Sequence, residues 1–292
     1  MKMLLQVILI IILAPLMSGL IKKIKNNARM RKGAPILQPY YNLAKLIKKD
    51  ETISKDTSYI FKVTPYIVLT ASIAAAFLTP FFFPGVRLFG IGDVFVIVFI
   101  FGLGRFFIAL AGLDAGSAFG GMGSSREMFI SALAEPALLT ALFAASLNAG
   151  GSGIGSLMAS GAVFKVSMLC AGLAFYFVLL AETSRVPVDN QETHLELTMI
   201  HEAMILEYSG KSLAMIELGG YIKQIILISL LANIFIPGSG WDLYIVKLFV
   251  VLVVTALLEV FMAKMRLFRA VDFLIFSFIL SFAAVIAVVM GV

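Results

Sequence analysis

Eight stretches of this chain are apolar for about 20 residues at a time, and that repetition constrains its fold more than any other feature. They run over about 3–21, 64–83, 91–113, 129–147, 157–181, 213–235, 243–262 and 271–290. A helix needs about 20 mainly apolar residues to cross a hydrocarbon core of roughly 30 Å. Lipid offers the backbone no hydrogen-bond partners, so helices that satisfy their own peptide groups are favoured there. The predicted fold class is all-α, a polytopic integral membrane protein with eight transmembrane helices forming a single membrane domain over residues 1–292. Composition agrees. Hydrophobic residues make up 61% and charged residues 14%, with a mean hydropathy of +1.02. A soluble domain carries about 25% charged residues, so an ordinary soluble enzyme is excluded, and so is a disordered chain. Lys2 ahead of the first apolar run resembles a signal peptide. However, Lys22, Lys23 and Lys25 follow the run and Ala14-Pro15 is a poor cleavage site, so it is read as a retained span.

The basic residues orient the spans. The loops after spans one, three, five and seven hold 10, 1, 2 and 3 of them, whereas the opposite side holds Lys2 and Arg87. The positive-inside rule then places the odd-numbered connections in the cytoplasm and both termini outside. The net charge of +6 records this orientation and calls for no nucleic acid.

Two cytoplasmic connections are long, and they differ. Residues 22–57 form a basic loop, whereas 183–211 hold Asp189, Glu192, Glu196, Glu202 and Glu207 against Arg185 and Lys211. Within the basic loop, Gln38–Lys49 is too short to span. Leu43, Leu46 and Ile47 share one helical face, flanked by Lys45, Lys48 and Lys49. This predicts a cytoplasmic amphipathic helix, either lying at the lipid surface or serving as a docking platform, and the two roles are compatible. Gly120-Gly121-Met122-Gly123-Ser124-Ser125-Arg126 is expected to form a tight turn entering span four.

The ionisable residues inside the spans carry the chemistry. Each costs about 2.5–3.5 kcal/mol or more at the centre of an isolated helix, so it faces protein or water. Arg105, Glu135, Lys165, Glu217, Lys223 and Glu259 fall in this class. Two roles are open for Glu135, Glu217 and Glu259, a buried polar pathway or static helix pairing. Glu217, Tyr221 and Gln224 follow i, i+4, i+7 spacing and give span six one polar face. Arg105 stands in Gly102-Leu103-Gly104-Arg105, where small residues admit another helix or water, and its charge would hold neighbouring carboxylates ionised. The densest polar cluster is Ala181–Glu196. There Pro187 marks the exit from the membrane, and Asp189, Glu192 and Glu196 fall on one side of any helix resuming after it. That segment is either a solvated acidic helix, a proton-collecting funnel or a face for a redox partner. His194 and His201 are seven apart and Cys170 is the one cysteine, so no metal site is expected.

At these residues the chain resembles the complex I subunit 1 family (respiratory-chain NADH dehydrogenase subunit 1). The resemblance rests on Arg29–Gly33 with Leu37-Gln38-Pro39 and Lys45-Leu46, on Gly123 with Arg126, and on Glu135. It rests also on Ala181–Asp189 with Glu192 and Glu196, and on Glu207–Gly210. Within the family, Gly123–Glu127, Leu133–Pro136 and Glu196–Met204 are similar to the group 4 membrane-bound nickel-iron hydrogenase branch, which includes formate hydrogenlyase. The segment before Glu207–Gly210 is longer than in the quinone-reducing branch.

The resemblance implies a prokaryotic inner (cytoplasmic) membrane subunit without a redox centre of its own. The nickel-iron site and iron-sulfur clusters are expected in partner subunits: the hydrogenase large and small subunits, an iron-sulfur subunit, and antiporter-like membrane subunits. This chain would dock the redox module and couple electron transfer to proton or sodium translocation. Glu135, Glu182, Arg185, Asp189, Glu192, Glu196 and Glu207 would line the ion pathway, with Glu217, Arg105 and Glu259 beside them. Arg29, Arg31, Gln38, Lys45, Arg126, His194 and His201 would face the docked module. The same role in a sulfane sulfur reductase or a quinone-reducing complex is the nearest alternative. A purely structural anchor and a stand-alone secondary transporter are more distant ones.

Overall fold

The computed structural model describes residues 2–55, 57–79, 92–159, 165–191, 198–238 and 240–291. The described elements are helices: α1 (Lys2–Ala28), α2 (Gln38–Lys48), α3 (Tyr59–Leu78), α4 (Val94–Asp114), α5 (Ala118–Ala149), α6 (Ile154–Ala159), α7 (Val166–Glu182), α8 (His201–Ile205), α9 (Gly210–Ile234), α10 (Trp241–Phe261) and α11 (Leu267–Val289). Among the described residues seven helices are long and apolar enough to cross a membrane, namely α1, α3, α4, α5, α9, α10 and α11. The chain is an all-α, multi-pass membrane protein.

The fifth expected span differs from its sequence outline. Lys165 is extended (φ −108°, ψ 144°), so the helix begins at Val166 and 157–181 is not one continuous helix. At 17 residues, α7 is about 25 Å long, short of a full hydrocarbon core. It also stops at Glu182, and Arg185 lies beyond its end rather than one turn along it. A second difference concerns the glycines of 120–123. They form the opening turns of α5 rather than a tight turn, with the Ser117 hydroxyl capping the helix by accepting the Gly120 N–H at 3.2 Å. The small size of Gly120 and Gly123 serves packing. A Cβ at Gly123 would lie 2.9 Å from both the Ile200 carbonyl oxygen and the Ala203 side chain of α8.

The bundle is built by pairing. The outermost helix, α11, packs on α5 and α7, α3 lies between α4 and α9, and α1 runs against α9 and α10. Phe175, Leu179, Leu142 and Ile226 are buried in the resulting core, while Phe99, Phe129 and Ile279 point outward. An apolar exterior of this kind is what lipid requires. The amphipathic helix α2 forms as expected, with Leu43 buried and Lys45 and Lys48 in its last turn. It packs on α1 and α9. Its C-terminal end meets Gly210 (φ +53°), where a Cβ would come within 2.9 Å of the Lys49 and Asp50 carbonyl oxygens. Only glycine suits both that conformation and that contact.

Candidate functional site

Four helices bring charge together inside the bundle. Arg105 projects from α4, and its guanidinium donates to Glu182 Oε2 at the end of α7. Its Nη1 donates to Glu135 Oε1 of α5 at 3.2 Å, and its Nε lies 3.6 Å from Glu127 Oε1 on the same helix. Lys223 of α9 stands 2.7 Å from Glu182 Oε2 and 5.7 Å above the Phe101 ring. The small residues beside Arg105 let this happen, since a Cβ on Gly102 would lie 3.3 Å from Glu135 Oε1. Single charges here would be costly in lipid, so opposite signs are held within 3.6 Å of one another.

This cage borders a cavity of about 410 Å³. Glu217, Tyr221 and Gln224 all line it, so the polar face expected on span six faces this space. The Tyr221 hydroxyl donates to Glu217 Oε2 at 3.5 Å. On the side of α8, His201 and Glu202 complete the lining. Burial pushes the His201 imidazole below its usual pKa, opposed by the charges of Glu202 and Asp189 and aided by Lys223. A neutral imidazole therefore sits at the cavity edge.

A second cluster stands between α1, α10 and the segment after α7. Glu259 of α10 accepts from Arg185 at 2.5 Å and pairs with Lys25 of α1 at 3.0 Å. Arg185 also donates to Gln224 Oε1 at 3.0 Å, which links the cluster to the cavity wall. Arg29 donates to the Glu259 backbone carbonyl at 3.0 Å. Four residues on from Arg185, Asp189 pairs with Lys264 at 2.8 Å and accepts the His201 backbone N–H at 3.0 Å. Residues 185–189 are thus fastened to α1, α8, α9, α10 and the α10–α11 connection.

A cluster of carboxylates paired with Arg105 and Lys223 beside a polar cavity in a membrane bundle narrows the comparison with known proteins. The family model described as NADH dehydrogenase matches residues 1–290.

The chain belongs to the NADH dehydrogenase family.

Within this family, corresponding to complex I subunit 1, it is similar to hydrogenase-4 component C of Escherichia coli. The two are 33% identical over 256 residues, covering 86% of this chain and 80% of that one. It is 30% identical over 280 residues to formate hydrogenlyase subunit 4 of the same organism, covering 90% of each. An NADH-quinone oxidoreductase subunit of Bordetella pertussis is 28% identical over 218 residues, covering 70% of this chain and 60% of that protein. A subunit in the solved structure of the membrane-bound sulfane sulfur reductase, an archaeal respiratory membrane complex, shares the fold. Its TM-score is 0.85 at 22% identity, covering 98% of this chain and 99% of that one.

The residues expected to act in this NADH dehydrogenase family chain divide into separate places. Arg105, Glu135 and Glu182 meet in the cage, and Glu217 and His201 line the cavity. Arg185 and Glu259 meet in the second cluster, where Glu259 borders a pocket of about 10 Å³ rather than the main cavity. Glu207 is exposed and lies outside both. Of the expected docking residues, Arg29, Arg31 and Lys45 are exposed, while Gln38 donates to Asn42 at 3.0 Å. Arg126 donates to the Met199 carbonyl at 3.1 Å, tying α5 to the segment before α8. Glu192, His194 and Glu196 fall outside the described residues. Three participants were not singled out from sequence for these sites: Glu127, Lys223 as the partner of Glu182, and Lys25 as the partner of Glu259. Glu127 had a legible signal, since it precedes Glu135 by eight positions and shares its helical face. Among the described residues no group of three or more His, Cys, Asp or Glu is placed to hold a metal ion.

Proposed function

We propose that this chain is the membrane anchor and ion-pathway subunit of an energy-converting, membrane-bound nickel-iron hydrogenase complex. Eight spans with both termini outside, as one membrane domain in the prokaryotic inner membrane, would put the 22–57 and 183–211 segments on the cytoplasmic side. There they would receive the hydrogenase large and small subunits and an iron-sulfur subunit, while antiporter-like membrane subunits would adjoin in the bilayer. The nickel-iron site and the iron-sulfur clusters would belong to those partners. The similarity to hydrogenase-4 component C and formate hydrogenlyase subunit 4 supports this assignment over a quinone-reducing one.

The single observation that carries the ion-path reading is the cage itself. Glu135 reaches Arg105, Arg105 reaches Glu182, and Glu182 reaches Lys223 beside a cavity large enough for water. Static pairing of helices needs no cavity. A chain of exchangeable groups does. In this account the redox module acts at the cytoplasmic mouth near His201 and Glu202, and charge rearrangement there is felt by the cage. The test is Glu135→Gln in the purified complex, reconstituted in vesicles. Assembly and hydrogen evolution should persist while coupled ion uptake is lost. Undiminished uptake would favour a purely structural anchor. The fold shared with the sulfane sulfur reductase favours one second reading, the same role with a different electron acceptor. Hydrogen evolution by the purified complex distinguishes the two.

A further inference from the structure

The cage does not balance. Three carboxylates, Glu127, Glu135 and Glu182, face two cations, Arg105 and Lys223, across contacts of 3.6 Å or less. The remaining charged lining deepens the excess, since Glu202 and Glu217 stand against Lys22. An uncompensated negative charge on a largely buried side chain is unfavourable, and the remedy is to bind a proton.

The geometry indicates which carboxylate takes it. Glu182 is gripped by both cations. Glu135 accepts a direct hydrogen bond from Arg105 at 3.2 Å, and its side chain is 39% exposed. Glu127 has the poorest pairing and a much drier place. Its nearest cation atom is Arg105 Nε at 3.6 Å, beyond hydrogen-bond range, and its side chain is 12% exposed. The terminal nitrogens of Arg105 are already committed to Glu135 and Glu182. The charges reaching Glu127 come from Arg105 on α4, Lys223 on α9, Glu182 on α7 and Asp189 after it. Glu135 lies on its own helix, and His201 and Glu202 line the same cavity from α8.

We propose that Glu127 is the site on which the cage carries its exchangeable proton. With Glu127 as the neutral acid, two cations face two carboxylates and the cage is neutral. The proton arrives from cavity water on a Glu127 carboxylate oxygen and returns to cavity water when charge enters or leaves the cage. The proposal rests on the ion-path reading and names the group within it that loads.

The experiment compares Glu127→Gln, Glu127→Asp and Glu135→Gln in the whole complex by two readouts. Infrared difference spectra between acidic and alkaline buffer report protonated carboxyl groups. Vesicle assays report coupled ion uptake. The wild type should show a protonated-carboxyl band that fades with rising pH. Glu127→Gln should remove that band and lower coupled uptake by about 100-fold or more, the usual contribution of a positioned proton-transfer group. Glu127→Asp should restore part of both, and Glu135→Gln should keep the band. An unchanged band in Glu127→Gln overturns the proposal. Failure of Glu127→Gln to assemble overturns it too, because glutamine closely mimics a neutral acid and would unsettle only a site that needs the anion. Loss of uptake in Glu135→Gln with wild-type uptake in Glu127→Gln removes the proposal and leaves the ion path standing. The reverse pattern, a band lost in Glu127→Gln with undiminished uptake in Glu135→Gln, keeps the proton site and removes the path through Glu135.

Discussion

Replacing Glu259 by Gln tests whether the second cluster fastens the membrane bundle to the segment above it. The side chains of Lys25, Arg185 and Glu259 are 4%, 6% and 6% exposed, so the variant removes the anion that two buried cations share, where little water can replace it. Breaking a buried pair by removing one partner costs about 3–5 kcal/mol. Each kcal/mol is worth about 2–4 °C of melting temperature for a chain of this size, so the expected fall is about 6–20 °C. The drop should be read on the detergent-solubilised complex, as the temperature at which this chain leaves the monodisperse peak. Some of it should return in the double variant Lys25→Met/Glu259→Gln, which removes one of the two cations along with the anion. Gln224 still accepts from Arg185 in both variants, so the cation is not left wholly unbonded. A single variant melting within a degree of wild type, or a double variant less stable than the single, would refute the argument that Glu259 holds these elements by charge.

Three other outcomes follow from the same contacts. His201 is held neutral by burial, so stability is fully present above its unfolded pKa of about 6.5 and is lost progressively as pH falls from there through the lowered folded value. His201→Gln should flatten the melting profile between pH 7 and 5, and an unaltered acid slope would contradict this. Asp189→Asn with Glu192→Gln should remove the charge that pairs with Lys264, while an amide oxygen can still accept the His201 N–H, and weaken retention of the proposed redox module on affinity purification. Wild-type retention and coupling would defeat the docking role. Gly210→Ala should lower stability by about 1–3 kcal/mol, since it sets a Cβ at φ +53° against the end of α2, and thermal denaturation reads the change directly.

Element by element, legibility followed the range of the forces involved. The amphipathic helix α2 was legible because Leu43, Leu46 and Ile47 repeat on one face. The start of α5 was misread, because Gly120, Gly121 and Gly123 look like a turn until Gly112 of α4 is seen against Gly120 and α8 against Gly123. The fifth span was outlined as continuous because hydropathy does not register the extended backbone at Lys165. Arg105 and the glutamates were visible as anomalies in apolar runs, but their partners were not. Arg105 and Glu182 are 77 positions apart, and Arg185 and Glu259 are 74 apart.

The sequence by itself determined that this is a helical membrane protein, because the cost of placing peptide groups and charges in lipid is set residue by residue and leaves its mark in local composition. It also showed which few charges break that pattern, and its motifs pointed to the family. Only the tertiary structure decided how those charges divide. Glu182 joins Arg105 and Lys223 at the cavity, Glu259 joins Lys25 and Arg185 away from it, Glu207 is left exposed, and Glu127 enters the cage. The physical reason is that an ion pair is decided by a few ångströms of through-space distance, and those distances exist only once α1, α4, α5, α7, α9 and α10 have packed together.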